Sequence, residues 1–429
     1  MGSATNSPEL PTLLRTKLHR PPMTADLVPR PRLLERLDQR RQRPLTLVSA
    51  GAGYGKTTLV SSWLEANGWP NAWLSLDEDD NDLSVFLTYT LAAVRSIFPQ
   101  AGESTQALLK SATLPPPPIL ARSLINELDE LETRFVLVLD DYHLIRDTAV
   151  HELLNDLLRH PPRPMHLVLA SRRDPPLELH KLRARSQVTE IRAEELRFTQ
   201  EETAAFLEQG LKTRADDVAV EALMKRVEGW AAGLRLITLS LRHRGSVDLS
   251  PARLTGSVAY VADYLMAEVL ASQPPAIQDF LLKTSILDRL NGPLCDFLTN
   301  LDEPECDGRA YLEWLNQENL FTIPLDDERQ WYRYHPLFRN LLQDQLGRKL
   351  GADGIAALHK QASAWFAKKG LLEESLHHAV EGGDIPGASQ LVAHSRHELM
   401  NHEQWHRLRR LLGLISRNTF ERDPELLMA

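Results

Sequence analysis

Short apolar runs alternate with amphipathic stretches through the first half of the chain. LTLVS (45–49), FVLVL (135–139) and LVLA (167–170) consist mainly of aliphatic residues, which is typical of parallel strands buried on both faces. AWLSLD and VTEIR are further strand candidates. The intervening segments, such as TTLVSSWLEA and FLTYTLAAVRSIF, space their apolar residues three or four positions apart and predict helices. This order predicts an α/β domain with a parallel sheet and helices on both faces.

From Thr199 onward the pattern becomes helical. Thr199 and Glu202 form a capping box at the start of TQEETAAFLEQG. In the helix that follows GW, an apolar stripe lies along one face, formed by Trp230, Leu234, Ile237 and Leu241. These helices predict a lid on the α/β domain.

The chain beyond Tyr260 predicts a winged helix and then a helical array. Two helices, a third over Tyr311 to Leu320 and the hairpin FTIPLDDERQWYRY make up the winged helix. From Gly351, short helices joined by Gly or Asp turns suggest helical-hairpin repeats that are cut short, since no capping repeat follows. The predicted parts are a disordered or extended arm (1–19), a P-loop nucleotide-binding domain (20–198), a helical lid (199–254), a winged-helix domain (255–348) and a helical-hairpin repeat region (349–429).

Charge and cysteine content narrow the class of protein. The 49 basic and 58 acidic residues give a net charge of −9, which is not the global charge of a nucleic-acid binder. Cys295 and Cys306 cannot form a disulfide framework, and the sequence shows neither a signal peptide nor an apolar run long enough to span a bilayer. We therefore expect a cytoplasmic protein without a membrane partner.

AGAGYGKTT (50–58) is the first stretch that carries chemistry. It matches a Walker A loop, except that Ala50 replaces the first glycine, and it lies between a predicted strand and a predicted helix as that motif requires. Lys56 would reach the β and γ phosphates of a nucleotide, and the Thr57 hydroxyl would bind Mg²⁺. The other expected nucleotide contacts are Gly51, Ala52, Gly53, Tyr54, Gly55 and Thr58, whose backbone N–H groups would surround phosphate oxygens. An ordinary glycine-rich turn is the alternative.

Asp140 and Asp141 end the apolar run FVLVLDD, at the carboxyl end of a predicted strand, where ligands bind in open α/β sheets. We expect Asp140 to hold Mg²⁺ and Asp141 to orient or deprotonate an attacking water, as in a Walker B motif. A simple strand-end turn is the alternative. Arg172 follows LVLAS in the same way and could sense a γ phosphate, and Arg183 or Arg185 could also reach the phosphates.

The arm that precedes the Walker A strand is well placed to cover a nucleotide base. Val28 and Arg30 are the expected contacts, although Arg30 could equally be a solvated residue at a helix start. DEDDND (77–82) resembles a metal site, but it lacks the glycine and the distal glutamate of a calcium loop, and a solvated acidic turn is expected. HEQWH (402–406) matches a zinc-protease pattern but lacks a third histidine ligand downstream, so zinc is not expected.

TKLHRPP, LVPRPRLL, AGAGYGKTTL, WLSLDEDDN, LVLDDYHLI, LASR, GWAAGLRLI and YHPLF occur in this order over about residues 13 to 400. The ordered set closely resembles the MalT-type regulators, large ATP-binding transcriptional activators of the STAND class of signal-transduction NTPases. The resemblance implies an ADP-bound resting monomer and an ATP-bound, inducer-bound form that self-associates. It also implies that Arg172 is a sensor and that His335 contacts the β phosphate of ADP. GWAAGL has alanines where the wider family carries a proline, so no ligand contact is assigned to that loop.

Members of that family continue into a repeat sensor domain, expected to receive an inducer, and a LuxR-type helix-turn-helix, neither of which this sequence contains. DNA binding is therefore expected only through a domain absent from it. Two other functions stay open at this point. One is a remodelling ATPase of the AAA+ type, and the other is DNA binding by the winged helix, although GRAYLEWLNQENL, with one arginine against two glutamates, is a poor phosphate binder.

Overall fold

The computed structural model describes residues 13–23, 27–111, 113–212, 216–243, 259–299 and 307–392. These residues form two compact units, Met1–Tyr260 and Val261–Ala429, which are described separately. No helix within the described ranges is long and apolar enough to cross a membrane. HEQWH and Cys306 lie outside the described residues.

A five-stranded, all-parallel sheet forms the centre of the first unit, in the order β2-β3-β4-β1-β5. The strands are β1 (Leu45–Ser49), β2 (Asn71–Ser75), β3 (Phe135–Asp140), β4 (Met165–Ser171) and β5 (Val188–Arg192). Every residue of β1, β3 and β4 is buried, which explains their near-continuous apolar sequence, since both faces are covered by helices. Each fully buried Leu or Val side chain contributes roughly 1.5 to 3 kcal/mol.

The register of the sheet brings the chemically interesting strand ends to one edge. Leu169 of β4 pairs with Leu47 of β1 on one side and with Leu139 of β3 on the other. The loop after β1, the acidic residues after β3 and the arginines after β4 therefore leave the sheet side by side. The helices around it are α1 (Pro31–Gln39), α2 (Lys56–Asn67), α3 (Leu83–Arg95), α4 (Glu103–Leu109), α5 (Pro117–Asp129), α6 (Thr148–Arg159), α7 (Leu179–Ala184) and α8 (Ala193–Leu196).

The acidic loop 77–82 is not the solvated turn that its sequence predicts. Asp80 is fully buried, and its carboxylate accepts a hydrogen bond from Lys17 at 2.6 Å. Lys17 also pairs with Asp77 at 3.0 Å and lies 4.3 Å from the centre of the Tyr89 ring. Burial of Asp80 is tolerated because a partner from the N-terminal segment neutralises its charge, and the loop thereby fixes that segment to the sheet.

Three further helices follow the sheet domain, namely α9 (Gln200–Leu211), α10 (Asp217–Val227) and α11 (Ala231–His243). The predicted capping box is present, because Thr199 accepts from the backbone of Glu202 and Glu202 accepts from that of Thr199. The apolar stripe of α11 is buried as expected, with Trp230, Leu234 and Ile237 fully inaccessible.

The second unit contains the predicted helices and hairpin. Its helices are α12 (Ala259–Leu265, which spans the boundary), α13 (Pro275–Thr284), α14 (Gly292–Thr299), α15 (Gly308–Gln317), α16 (Pro336–Lys368) and α17 (Leu372–Glu381). Strands β6 (Thr322–Pro324) and β7 (Tyr332–Tyr334) pair antiparallel. Gly351, at φ 67°, bends α16 and so separates its first half from the helical hairpin that the second half forms with α17.

Candidate nucleotide-binding site

The loop between β1 and α2 has the backbone of a phosphate-binding loop. Gly53 and Gly55 adopt φ values of 73° and 82°, which favour glycine and turn the chain sharply into the N-terminus of α2. Lys56, the first residue of α2, is buried, and its Nζ donates to the Gly51 carbonyl at 3.0 Å. The ammonium group thus lies over the loop, next to the backbone N–H groups that would surround an anion.

Burial is the main cause of the lowered pKa of Lys56, which falls to about 8, and the nearby Arg172 guanidinium lowers it further. The carboxylates of Asp141 and Asp140 act in the opposite direction. Lys56 is therefore close to the cations and carboxylates that follow β3 and β4. An anion bound in the loop would offset the burial cost of this charge.

Thr57 and Asp140 meet at the same place. The Thr57 hydroxyl donates to Asp140 Oδ1 at 3.1 Å. Burial and the adjacent charge of Asp141 raise the pKa of Asp140 to about 6. A hydroxyl and a carboxylate are hard oxygen donors of the kind that Mg²⁺ prefers, and a bound cation would relieve the cost of the buried negative charge. These residues therefore fit the magnesium site predicted for them, although no cluster of three or more metal-ligating side chains occurs in the described part of the chain.

Asp141 and Arg172 complete this end of the site. Asp141 has a left-handed backbone, at φ 57° and ψ 35°, and its side chain is 45 % exposed at the strand end. Arg172 directly follows β4 and lowers the pKa of both Lys56 and His143 by its charge. Of the other arginines considered, Arg183 pairs with Glu190 at 2.7 Å and with Asp174 at 3.1 Å, so in this structure its guanidinium is held by neighbouring carboxylates.

A cavity of about 290 Å³ opens beside the phosphate-binding loop. Its walls come from three parts of the first unit, namely the N-terminal arm, the start of α2 and the lid helices. The lining includes Val28 and Arg30 of the arm, Gly53, Gly55, Thr57 and Thr58 of the loop and α2, and Phe198, Phe206, Ala231, Ala232 and Arg235 of the lid segment. A mostly apolar pocket next to a phosphate site has the features of a site for a nucleotide base.

Arg30 is not a solvated residue at a helix start. Its guanidinium is buried, lies 3.1 Å from the carboxylate of Glu202 and donates to the Arg197 carbonyl at 2.8 Å. Arg32 binds the other oxygen of Glu202 at 2.9 Å, and Arg30 stacks over the ring of Phe198 at 4.5 Å. The arm is thus fastened to the first helix of the lid, while the contact of Val28 and Arg30 with a base stays a prediction.

The lid loop contacts the phosphate-binding loop directly. The backbone N–H of Ala232 donates to the Gly53 carbonyl at 2.9 Å, and the Trp230 indole donates to the Ala52 carbonyl at 3.0 Å. A side chain at Gly53 would collide with Ala232, since its Cβ would come within 2.5 Å of that methyl group. Sequence reasoning assigned this loop no role and did not consider Arg235, one turn further along α11.

His335 lies in the second unit, at the junction of β7 and α16. It is fully buried, its Nδ1 accepts a hydrogen bond from the Leu337 backbone at 3.3 Å, and its ring packs against Phe321. It therefore caps α16 through its side chain. The contact of His335 with a nucleotide stays a prediction.

Comparison with known proteins places these features in a family. A model of the AAA ATPase domain matches residues 31–170, and a model of the MalT winged helix domain matches residues 266–353. HTH-type transcriptional regulator MalT of Klebsiella pneumoniae strain 342 is 32% identical over 97% of this chain and 46% of the relative. The corresponding protein of Yersinia enterocolitica is 33% identical over 96% of this chain and 45% of the relative.

The fold has a counterpart among solved structures. A Walker-type ATPase of Pyrococcus abyssi superposes with a TM-score of 0.52 at 17% identity, over 75% of this chain and 97% of that protein. The chain spans about half the length of the curated relatives it matches. It is homologous to the MalT transcriptional regulators along nearly all of its own length, and it combines their winged helix domain with a P-loop ATPase domain.

Proposed function

We propose that this chain is an ATP/ADP-binding switch with slow ATPase activity, which controls the self-association of a signal-responsive, cytoplasmic transcriptional regulator. The observation that carries the proposal is the convergence of Lys56, Thr57, Asp140 and Asp141 at one edge of the sheet. A cavity closed by the arm and the lid lies beside them.

The binding roles follow from the charges and donors of these residues. Backbone N–H groups between Gly51 and Thr58, together with the N-terminus of α2, hold phosphate oxygens. Lys56 moves from the Gly51 carbonyl to the β and γ phosphates, and Thr57 and Asp140 hold Mg²⁺, which neutralises charge on the β and γ oxygens. Val28 packs on the base, and Arg30 fixes the arm over it through Glu202.

Hydrolysis requires a water placed in line with the γ phosphorus. The water oxygen forms a bond to that phosphorus while the bond to the β–γ bridging oxygen breaks, and ADP leaves with the bonding electrons. Asp141, on the exposed side of the strand end, orients this water and takes its proton. Arg172 stabilises the negative charge on the transferred group, as a fixed guanidinium suits phosphate oxygens.

The switch itself rests on homology with the MalT regulators. ADP holds the resting monomer closed, with His335 bound to its β phosphate, whereas ATP and an inducer favour the self-associated form. Binding of DNA by the winged helix is not favoured, because Arg309 of α15 is engaged with Glu313 at 2.9 Å on an otherwise acidic helix. The remodelling ATPase has no specific observation in its favour.

Two measurements test the proposal. Mass photometry with saturating ADP and with ATP should give a monomer in the first case and larger species in the second, and a single size in both would overturn the switch. A single-turnover assay of Asp141→Ala should show ATP bound normally but hydrolysed at least tenfold more slowly, because Asp140 still serves the metal. An unchanged hydrolysis rate would remove Asp141 from the mechanism.

A further inference from the structure

His143 lies two residues beyond Asp141, in a turn whose position is fixed by its neighbour. The short helix Tyr142–Leu144 follows directly after Asp141. Tyr142 is fully buried, and its hydroxyl lies 2.7 Å from Nδ1 of His151 on α6. The backbone of His143 is therefore held firmly, and its side chain returns toward the carboxyl edge of the sheet.

The imidazole of His143 is short of one partner. Its Nδ1 is inaccessible to solvent and has no hydrogen bond to any residue that the structure describes. The nearest acceptor is Asp141 Oδ1 at 3.8 Å, which is about 0.9 Å longer than an ordinary hydrogen bond. Buried polar atoms are rarely left without a partner, and exceptions concentrate where a ligand or a rearrangement supplies one.

The charges around the ring define its state. Burial and the charges of Arg172, Lys56 and Arg173 lower the pKa of His143 to about 3. The ring is therefore neutral at physiological pH and carries one N–H donor and one acceptor. The same cations surround the position expected for a γ phosphate, so the ring faces the reacting end of the site.

We propose that His143 is a positioning residue for Asp141, whose carboxylate accepts a hydrogen bond from Nδ1–H once a triphosphate is bound. The contact aims Asp141 at the attacking water, and it rests on the ATPase activity proposed above. Catalytic hydrogen bonds that are long without ligand commonly shorten in the substrate complex. A rotation of either side chain suffices here, because the two groups already face each other across 3.8 Å.

Three substitutions at this position separate positioning from packing. In His143→Asn the amide lies near the position of Nδ1, in His143→Gln it lies near that of Nε2, and His143→Leu offers no polar group. Single-turnover hydrolysis of prebound ATP should be about ten- to a hundredfold slower in the Leu and Gln variants, the range expected for one hydrogen bond to a charged group. The Asn variant should stay within about fivefold of wild type, and ATP affinity should change less than threefold in all three.

A double-mutant cycle with Asp141→Asn identifies the partner. The effect of His143→Gln should disappear in the Asp141→Asn background, since the group that it positions is gone. The exposed His180, replaced by leucine, serves as the surface control and should leave the rate unchanged.

Equal rates for the Gln, Asn and wild-type proteins, or full additivity with Asp141→Asn, would overturn the role of His143 while leaving the ATPase intact. Absence of hydrolysis by the wild type would instead overturn the proposed ATPase, and this role with it. The comparison of Asn with Gln decides the question even if the Leu variant does not fold.

Discussion

The hydroxyl of Thr57 donates to the carboxylate of Asp140 across 3.1 Å, although 83 residues separate them in the sequence. The contact arises because β4 lies between β1 and β3, so that the loop after β1 and the end of β3 face one another. Without a cation, this hydrogen bond is the main compensation for the buried charge of Asp140. The pair is thus ready to bind a metal at some cost to the stability of the nucleotide-free protein.

Replacing Asp140 by asparagine should stabilise the nucleotide-free protein. Burial raises the pKa of Asp140 from 3.8 to about 6, so the folded state binds the proton more tightly than the unfolded one. Stability of the wild type therefore falls as pH rises through about 4 to 6, and the full penalty, at most about 3 kcal/mol, applies above pH 6. We expect Asp140→Asn to gain about 1 to 3 kcal/mol at pH 7.5 and little at pH 4.

Urea unfolding at the two pH values measures this gain, with the exposed Asp79→Asn as control. The same variant should lose the extra stabilisation that Mg²⁺ adds to ADP in the wild type, since one metal ligand is gone. A variant that is less stable at pH 7.5, or that still responds to Mg²⁺, would show that Asp140 is a structural carboxylate.

The sequence predicted the strands and the phosphate loop because both follow local rules. A buried parallel strand needs an unbroken apolar run, and a phosphate loop needs glycines and a lysine at fixed spacing, so β1, β3 and Lys56 could be located directly. The burial of Asp80 could not be predicted, because its partner Lys17 lies 63 residues earlier and follows no spacing rule. The acidic run alone suggested solvent exposure.

The lid contacts were missed for the same reason. The docking of Ala232 on Gly53 depends on the fold of three helices between them, and small residues carry no chemical signal of their own. The unpaired ring of His143 is likewise visible only once β3 and β4 lie side by side. Long-range partners of ordinary residues are set by the packing of elements and not by any local pattern.

Lys56→Ala should abolish nucleotide binding without unfolding the chain, because it removes the mobile cation of the loop and leaves β1 intact. In the wild type, burial sets the pKa of Lys56 at about 8, and a bound phosphate raises that pKa. Binding then takes up a proton above pH 8, so ADP affinity should fall by up to about tenfold per pH unit there.

Titration with fluorescent ADP from pH 7 to 9.5 measures both effects, and Lys110→Ala at an exposed site is the control. Affinity that is unchanged in Lys56→Ala would show that residues 50–58 are an ordinary turn. A pH profile of the wild type that is flat above pH 8 would show that Lys56 does not change its proton affinity on binding.

Glu202→Gln should loosen the arm from the lid. Glutamine keeps the capping box with Thr199 but leaves the buried guanidinium of Arg30 without an opposing charge. Loss of one member of a buried pair is strongly destabilising, and we expect about 2 to 4 kcal/mol here because Arg32 stays partly solvated. ADP dissociation should be faster as the cavity opens, as measured by stopped flow.

Glu208→Gln, at an exposed position of the same helix, is the matched control and should change neither quantity. Loss of stability without faster ADP release would restrict the Arg30–Glu202 pair to a structural role. Faster release without loss of stability would indicate a direct contact of Glu202 with the nucleotide.

His335 offers a test of the resting state in which its two ring nitrogens can be separated. Nδ1 accepts the Leu337 N–H at 3.3 Å, so the ring proton lies on Nε2, which is therefore a donor. In the proposed resting state, Nε2–H donates to the β phosphate of ADP. Asparagine is a good N-cap and can replace Nδ1 as the acceptor, but it is too short to replace Nε2.

We therefore expect His335→Asn to retain most of the stability of the winged helix, whereas His335→Ala loses about 1 kcal/mol or more with the cap. Both should release ADP faster and weaken ADP far more than ATP, because a contact shifts a two-state equilibrium only through its differential affinity. A hydrogen bond to a charged phosphate, at roughly 1.5 to 3 kcal/mol, predicts a shift of about ten- to a hundredfold toward the self-associated form. Stopped-flow ADP release from His335→Asn decides the matter, since an off-rate within twofold of wild type would make His335 a capping residue and leave the ADP-bound state without this contact.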